Sequence, residues 1–163
     1  MIEIIPNWHP FFVHFTVALL MLSSVLFIVG YASKKAPVIL VAQWNLWIGT
    51  LITIATIIAG LYAYNTVDHT AQSHQAMTIH RNWALPTAGL YLCLAIWSFI
   101  RRFKPVTWLF VGLMFVASIG LSITGYLGAE LVYRYGTGVM ASSEKNIQQD
   151  HHQNQHDGHN HTH

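Results

Sequence analysis

Apolar residues along the chain come in four stretches that no charged residue interrupts, between Glu3 and Lys34, Lys35 and Asp68, Arg81 and Arg101, and Lys104 and Glu130. Crossing about 30 Å of hydrocarbon takes roughly 20 apolar residues as a helix, so each stretch supplies one span. The pattern predicts helices near 11–32, 38–64, 82–100 and 106–130. A membrane β-barrel would alternate polar and apolar positions instead. The expected fold class is therefore all-α, an up-down four-helix integral membrane bundle over residues 1–139. From 140 to 163 the chain turns to Ser, Gln, Asn, His and Asp without apolar periodicity, the composition of an exposed disordered tail. No solenoid-type repeat is visible.

Charge placement orients the bundle. Five of the eight basic residues, Lys34, Lys35, Arg101, Arg102 and Lys104, fall in the connections after the first and third helices. The positive-inside rule makes that side cytoplasmic and puts both termini, the 65–81 connection and all eleven histidines on or near the extracytoplasmic side. Glu3 replaces the basic run of a signal peptide, and no small-residue cleavage site precedes Lys34, so the first helix is expected to stay. Trp8, Tyr64 and Trp83 suit one aromatic belt and Trp44, Trp97 and Trp108 the other. Composition agrees: 53% of residues are hydrophobic and 9% charged, against about 25% charged in an average soluble domain. There is no basic patch for nucleic acid, and the lone Cys93 has no disulfide partner. Gly112, Gly120, Gly125 and Gly128, with Ser118 and Ser122, suit close helix packing in the fourth span and a possible oligomer contact. Phosphate-loop, H-E-x-x-H and G-x-S-x-G motifs are absent, which argues against hydrolase or kinase chemistry and leaves a stand-alone enzyme less favoured than a binding or electron-transfer protein.

Histidine carries the candidate chemistry. In "HPFFVH", Pro10 suits the first helical position, with His9 or Asn7 as cap, and His14 then falls in the second turn, just inside the membrane. His9 and His14 point about 140° apart on a helix and cannot bind one ion from the same face. In "DHTAQSHQAMTIHRNW", His69, His74, Met77 and His80 approach the start of the third span. His14 and His80 would enter the same leaflet and suit the axial pair of a non-covalent haem b, with His9 or His74 as second choices. No C-x-x-C-H allows covalent attachment. The same imidazoles suit copper, nickel or zinc, and the Met77 thioether favours Cu(I); spacing alone does not separate these. Glu130 and Arg134 stand at i, i+4 before Gly136, as a surface ion pair or as an anion clamp if Arg134 shares a pocket with His14. His151, His152, His156, His159, His161 and His163 read as labile metal binding in the tail. The bland alternative for every histidine is an interfacial hydrogen-bonding group.

The stretches "HPFFVHFTVAL" at 9–19, "HRNWAL" at 80–85 and "GAELVYRYGTGV" at 128–139 resemble the bacterial membrane family called domain of unknown function 2231. That family opens with H-P-x-x-V-H-F-P and closes with a run like G-G-x-L-V-Y-x-H-G-x-G-V. His9, Pro10, Val13, His14 and Phe15 match the first motif; Gly128, Leu131, Val132, Tyr133, Gly136, Gly138 and Val139 match the last. Thr16 stands in place of a frequent proline, Ala129 of a glycine and Tyr135 of a common histidine. The resemblance implies a four-helix bacterial inner-membrane protein. Some relatives are joined to Rieske-type iron–sulfur domains, which implies electron transfer with a quinone or redox membrane partner. The leading expectation is thus a haem b or redox-metal site near the outer leaflet; the alternatives are a metal-handling protein fed by the tail and a non-catalytic assembly subunit.

Overall fold

The computed structural model describes residues 8–66 and 70–136. It contains four helices, α1 (His9–Ser33), α2 (Ala36–Thr66), α3 (Ala71–Ile100) and α4 (Trp108–Tyr135), each long and apolar enough to cross a membrane. At about 1.5 Å per residue, even the 25-residue α1 is about 38 Å long, so every helix outreaches the hydrocarbon. This is a multi-pass membrane protein.

α3 departs most from the expected boundaries, starting at Ala71 rather than near 82. The Thr70 hydroxyl caps it by accepting from the Ser73 amide at 3.3 Å. Its first turns, AQSHQAMTIHR, are polar and extend beyond the apolar stretch that hydropathy detects. Thr107 caps α4 in the same way, accepting from Phe110. Gly136 ends α4 in the left-handed conformation at φ 60°, as its position in the sequence predicts.

α1 turns into α2 through Lys34 and Lys35 alone. Lys34 takes a left-handed φ of 55°, and the two amides bond back to Tyr31 and Gly30. Gly30 makes this tight hairpin possible, since a Cβ there would lie 2.7 Å from Ile39 Cδ1. The four helices close a ring in which α1 touches α2 and α4, and α3 touches α2 and α4. α1 and α3 therefore stand on one diagonal and α2 and α4 on the other.

The interior is a column of Leu20, Phe27, Ala42, Leu46, Tyr91, Leu94, Met114, Ala117 and Leu121. Outward faces are as apolar as the core: Leu51, Ile58 and Ile100 are each about two-thirds exposed or more, as lipid-facing positions are. Cys93 also faces outward. Several polar side chains inside bond to helix backbone or to one another, while Trp47 Nε1 and the Thr50 and Ser98 hydroxyls have no hydrogen-bond partner among the described residues. Ser23 donates to the Ala42 carbonyl across α1 and α2 at 2.9 Å, and Ser24 to Leu20 within α1. Ser24 has then used its only proton, so the fully buried Tyr91 hydroxyl donates to Ser24 Oγ at 3.0 Å across the α1–α3 diagonal.

Tyr91→Phe removes that bond while keeping the ring. A loss of about 0.5–1.5 kcal/mol is expected, the range for helix-to-helix hydrogen bonds in membranes. Thermal unfolding in detergent measures it, and Ser24→Ala added to Tyr91→Phe should cost less than the two changes do separately.

Candidate functional site

At the end of the bundle where α1 and α3 begin and α2 and α4 finish, two imidazoles reach toward the axis. His9 is the first residue of α1, with Trp8 as its cap and Pro10 in the first turn. It donates from Nδ1 to the Thr56 carbonyl of α2 at 3.0 Å. His80 lies on α3, where the early start of that helix places it two turns and more inside, and donates from Nδ1 to the Thr124 carbonyl of α4 at 3.1 Å. A carbonyl can only accept, so Nδ1 carries the proton in each ring and Nε2 keeps the lone pair when the ring is neutral. The two rings face each other across the diagonal with centroids 6.4 Å apart and planes at 81°.

Helix carbonyls are already used by the amide four residues on, and the side chain of that residue normally covers the second lone pair. Here the residues four on are Gly60 and Gly128. A Cβ at Gly60 would lie 2.8 Å from His9 Cε1 and 2.9 Å from its Nδ1; one at Gly128 would lie 3.3 Å from His80 Cε1. Glycine therefore opens each threonine carbonyl to an imidazole from the neighbouring helix. The threonine hydroxyls turn away to their own helices, at Ile52 and Gly120, and Thr16 bonds Thr56 at 2.8 Å.

The two halves of the bundle repeat this arrangement. HPFFVHFT of α1 and HRNWALPT of α3 each run from the inward histidine to a buried threonine, Thr16 or Thr87. TIIAG of α2 and TGYLG of α4 each pair the accepting threonine with its glycine. Buried Thr16, Leu20, Ser23, Ser24 and Phe27 of α1 correspond in order and spacing to buried Thr87, Tyr91, Leu94, Ala95 and Ser98 of α3. Ala42, Leu46, Gly49 and Thr53 of α2 correspond likewise to Phe110, Met114, Ala117 and Leu121 of α4. The α1–α2 and α3–α4 hairpins are thus related by a pseudo-twofold along the bundle, and the histidines meet on it.

The residues singled out from the sequence are distributed differently from the expected grouping. The ring that faces His80 is that of His9; His14 is exposed and turns Nδ1 back to the Pro10 carbonyl of its own helix. His74 is exposed and shares the Tyr64 hydroxyl with Thr78, both at 3.1 Å, while Arg81 lies over the Tyr64 ring. Met77 is buried in α3, three residues before His80. Arg134 forms a 2.7 Å ion pair with Glu130 on the surface of α4. Of the four small positions in α4, Gly120 and Gly128 receive Thr87 and His80, and Gly112 and Gly125 meet open space. His69 and His151, His152, His156, His159, His161 and His163 lie outside the described residues. A cleft of about 310 Å³ opens between α3 and α4, lined by Gln72, Gln75, Ala76, Ile79, Leu127, Glu130 and Tyr135, and neither histidine of the pair lines it. Ile79 and Leu127 immediately precede His80 and Gly128.

The model for the family described as predicted membrane protein (DUF2231) matches residues 6–141. The chain belongs to the DUF2231 family. No curated protein and no solved structure matches it. The DUF2231 match spans all four helices, so both copies of the histidine, threonine and glycine arrangement lie within the family region.

Thr56, Gly60, Thr124 and Gly128 were not singled out together from the sequence. Their signal was the paired T-x-x-x-G in the second and fourth helices, set against a histidine followed at equal spacing by threonine in the first and third.

Gly60→Ala should displace the His9 ring and lower stability by about 1–3 kcal/mol, the usual cost of overpacking. Gly128→Ala, with the wider 3.3 Å clearance, should cost less. Thermal unfolding of the two variants in one detergent checks the order.

Proposed function

We propose that this DUF2231 protein is a metal-handling membrane protein that holds a transition-metal ion between His9 and His80. The opposed imidazoles carry the reading, each with Nδ1–H fixed by a carbonyl and Nε2 carrying the remaining lone pair. Metal-binding histidines characteristically donate their second nitrogen to a backbone or carboxylate oxygen, which sets the tautomer and orients the ring. Imidazole in such a site takes copper, nickel or zinc. The positive-inside rule puts the pair on the extracytoplasmic side of a bacterial inner membrane. In sequence His69 comes two residues before α3 begins and the six histidines of 151–163 follow α4, which would let them deliver metal to the pair.

Haem b is the second form of this reading, suited to electron transfer with a quinone or Rieske-type partner. It asks more of the bundle, because a porphyrin between the rings must extend past helices that touch each neighbour around the ring. An ion needs only one donor atom from each ring.

Asparagine separates ligation from packing, because its amide N–H can replace the Nδ1–H bond while Nε2 is lost. Full-length protein purified after growth with copper, zinc, nickel and haem should carry about one more metal equivalent than His9→Asn or His80→Asn. Metal analysis and an optical spectrum read this out. Equal metal content in all three proteins would overturn the proposal, and a reduced b-type spectrum lost in both variants would replace the ion with haem.

A further inference from the structure

We infer that the end of the bundle opposite the histidine pair holds the phosphate of an anionic phospholipid, in a pocket where α3 passes into α4. The inference is independent of the metal reading. Lys34, Lys35, Arg101, Arg102 and Lys104 all lie at this end, in the two connections. The only carboxylate among the described residues is Glu130, which pairs with Arg134 near the far end of α4. Five cations at one end therefore have no carboxylate partner among the described residues, which leaves them open to anions of the membrane. By the positive-inside rule this end faces the cytoplasm, where basic pockets between spanning helices take anionic headgroups.

Within that end one pocket is suited to an oxygen. Arg101 and Lys104 line it together with Gln43 of α2, Ser98 of α3 and Thr107, the cap of α4. Gln43 and Ser98 are each only 6% exposed. Ser24, Thr53, Thr56 and Ser122 all donate to the carbonyl four residues back, yet the Ser98 hydroxyl has no partner among the described residues. A buried hydroxyl left unpaired carries a desolvation cost, which a ligand oxygen would remove. The start of the 28-residue α4 adds the positive end of a helix dipole. The enclosed space, about 20 Å³, admits one water-sized atom. It fits a single phosphate oxygen, and the rest of the headgroup then stays outside with the exposed Arg101 and Lys104.

The surroundings favour a lipid over a free ion. Ile100, Phe103 and Trp108 flank the lining residues in sequence and are 72%, 89% and 73% exposed. Such side chains suit the boundary between acyl chains and headgroups, where tryptophan gathers. Arg102 does not line the pocket: it donates to the Phe99 carbonyl at 3.0 Å and lies over the Phe99 and Phe103 rings. It is therefore an internal control for charge alone.

Native mass spectrometry of the full-length protein in detergent tests this, titrating with phosphatidylglycerol or with phosphatidylcholine of the same acyl chains. The wild type is expected to retain one phosphatidylglycerol in preference to phosphatidylcholine. Ser98→Ala should weaken that binding about tenfold, as loss of a hydrogen bond to a charged group does. Arg101→Gln and Lys104→Gln should each weaken it about fivefold. Arg102→Gln removes the same charge outside the pocket and should change it less than either. Equal losses in the three basic variants, with none in Ser98→Ala, overturn the pocket in favour of diffuse attraction. Equal binding of the two lipids by the wild type overturns the site altogether. Inorganic phosphate, compared with chloride at equal ionic strength, should leave the lipid bound; displacement overturns the lipid in favour of a free anion. Ser98→Ala removes a hydroxyl without a partner, so without lipid it should unfold no earlier than the wild type. Earlier unfolding would mean that the hydroxyl is already bonded within the protein, and overturns the pocket.

Discussion

Inside hydrocarbon an unpaired polar group is costly and water is absent, so partners come from within the protein, and those in greatest supply are helix carbonyls with one lone pair to spare. This constraint organises the bundle. Ser23, Ser24, Thr53 and Thr56 all donate to carbonyls, and His9 and His80 do so across helices. At Thr56 and Thr124 the imidazole reaches the neighbouring helix's carbonyl past Gly60 and Gly128, which put no side chain in its way, so the histidines, threonines and glycines form one unit. Gly60 and Gly128 are tied to the two rings as closely as the threonines whose carbonyls accept from them.

Repetition of that unit gives the molecule its axis. α1 pairs with α2 and α3 with α4, and the two hairpins share a matching series of inward positions, from Thr16 to Phe27 with Thr87 to Ser98 and from Ala42 to Thr53 with Phe110 to Leu121. Side chains on the α1–α3 diagonal meet twice, as His9 with His80 at one end and Ser24 with Tyr91 in the middle. Between these levels α1 and α3 bury Thr16, Leu20 and Thr87, whereas Phe27 packs against Phe110 on the far side of Ser24.

Much of this was legible in the sequence. Gaps between charges placed four spans, because hydrocarbon excludes charge more sharply than any propensity marks a helix. Gly136 announced the end of α4. The start of α3 was not legible from hydropathy, since AQSHQAMTIHR is polar and gains helical order from the Thr70 cap and from packing of buried Ser73 and Met77. His14 drew attention by its depth in the membrane. Register decided otherwise: Thr16, Leu20, Ser23 and Phe27 share the face of α1 that carries His9, and a residue about 140° from His9 must turn outward. The partner of His80 was readable only once the two halves were laid over each other.

The most direct test of the account is the tautomer of the two inward rings in metal-free protein. Nitrogen NMR of histidine-labelled protein in detergent, assigned by the signals missing from His9→Asn and His80→Asn, reports which ring nitrogen is protonated. Protonated Nδ1 and unprotonated Nε2 in both rings is the predicted result. Protonated Nε2 in either ring would mean that the threonine carbonyl does not hold it, and would contradict the arrangement on which the metal site is built.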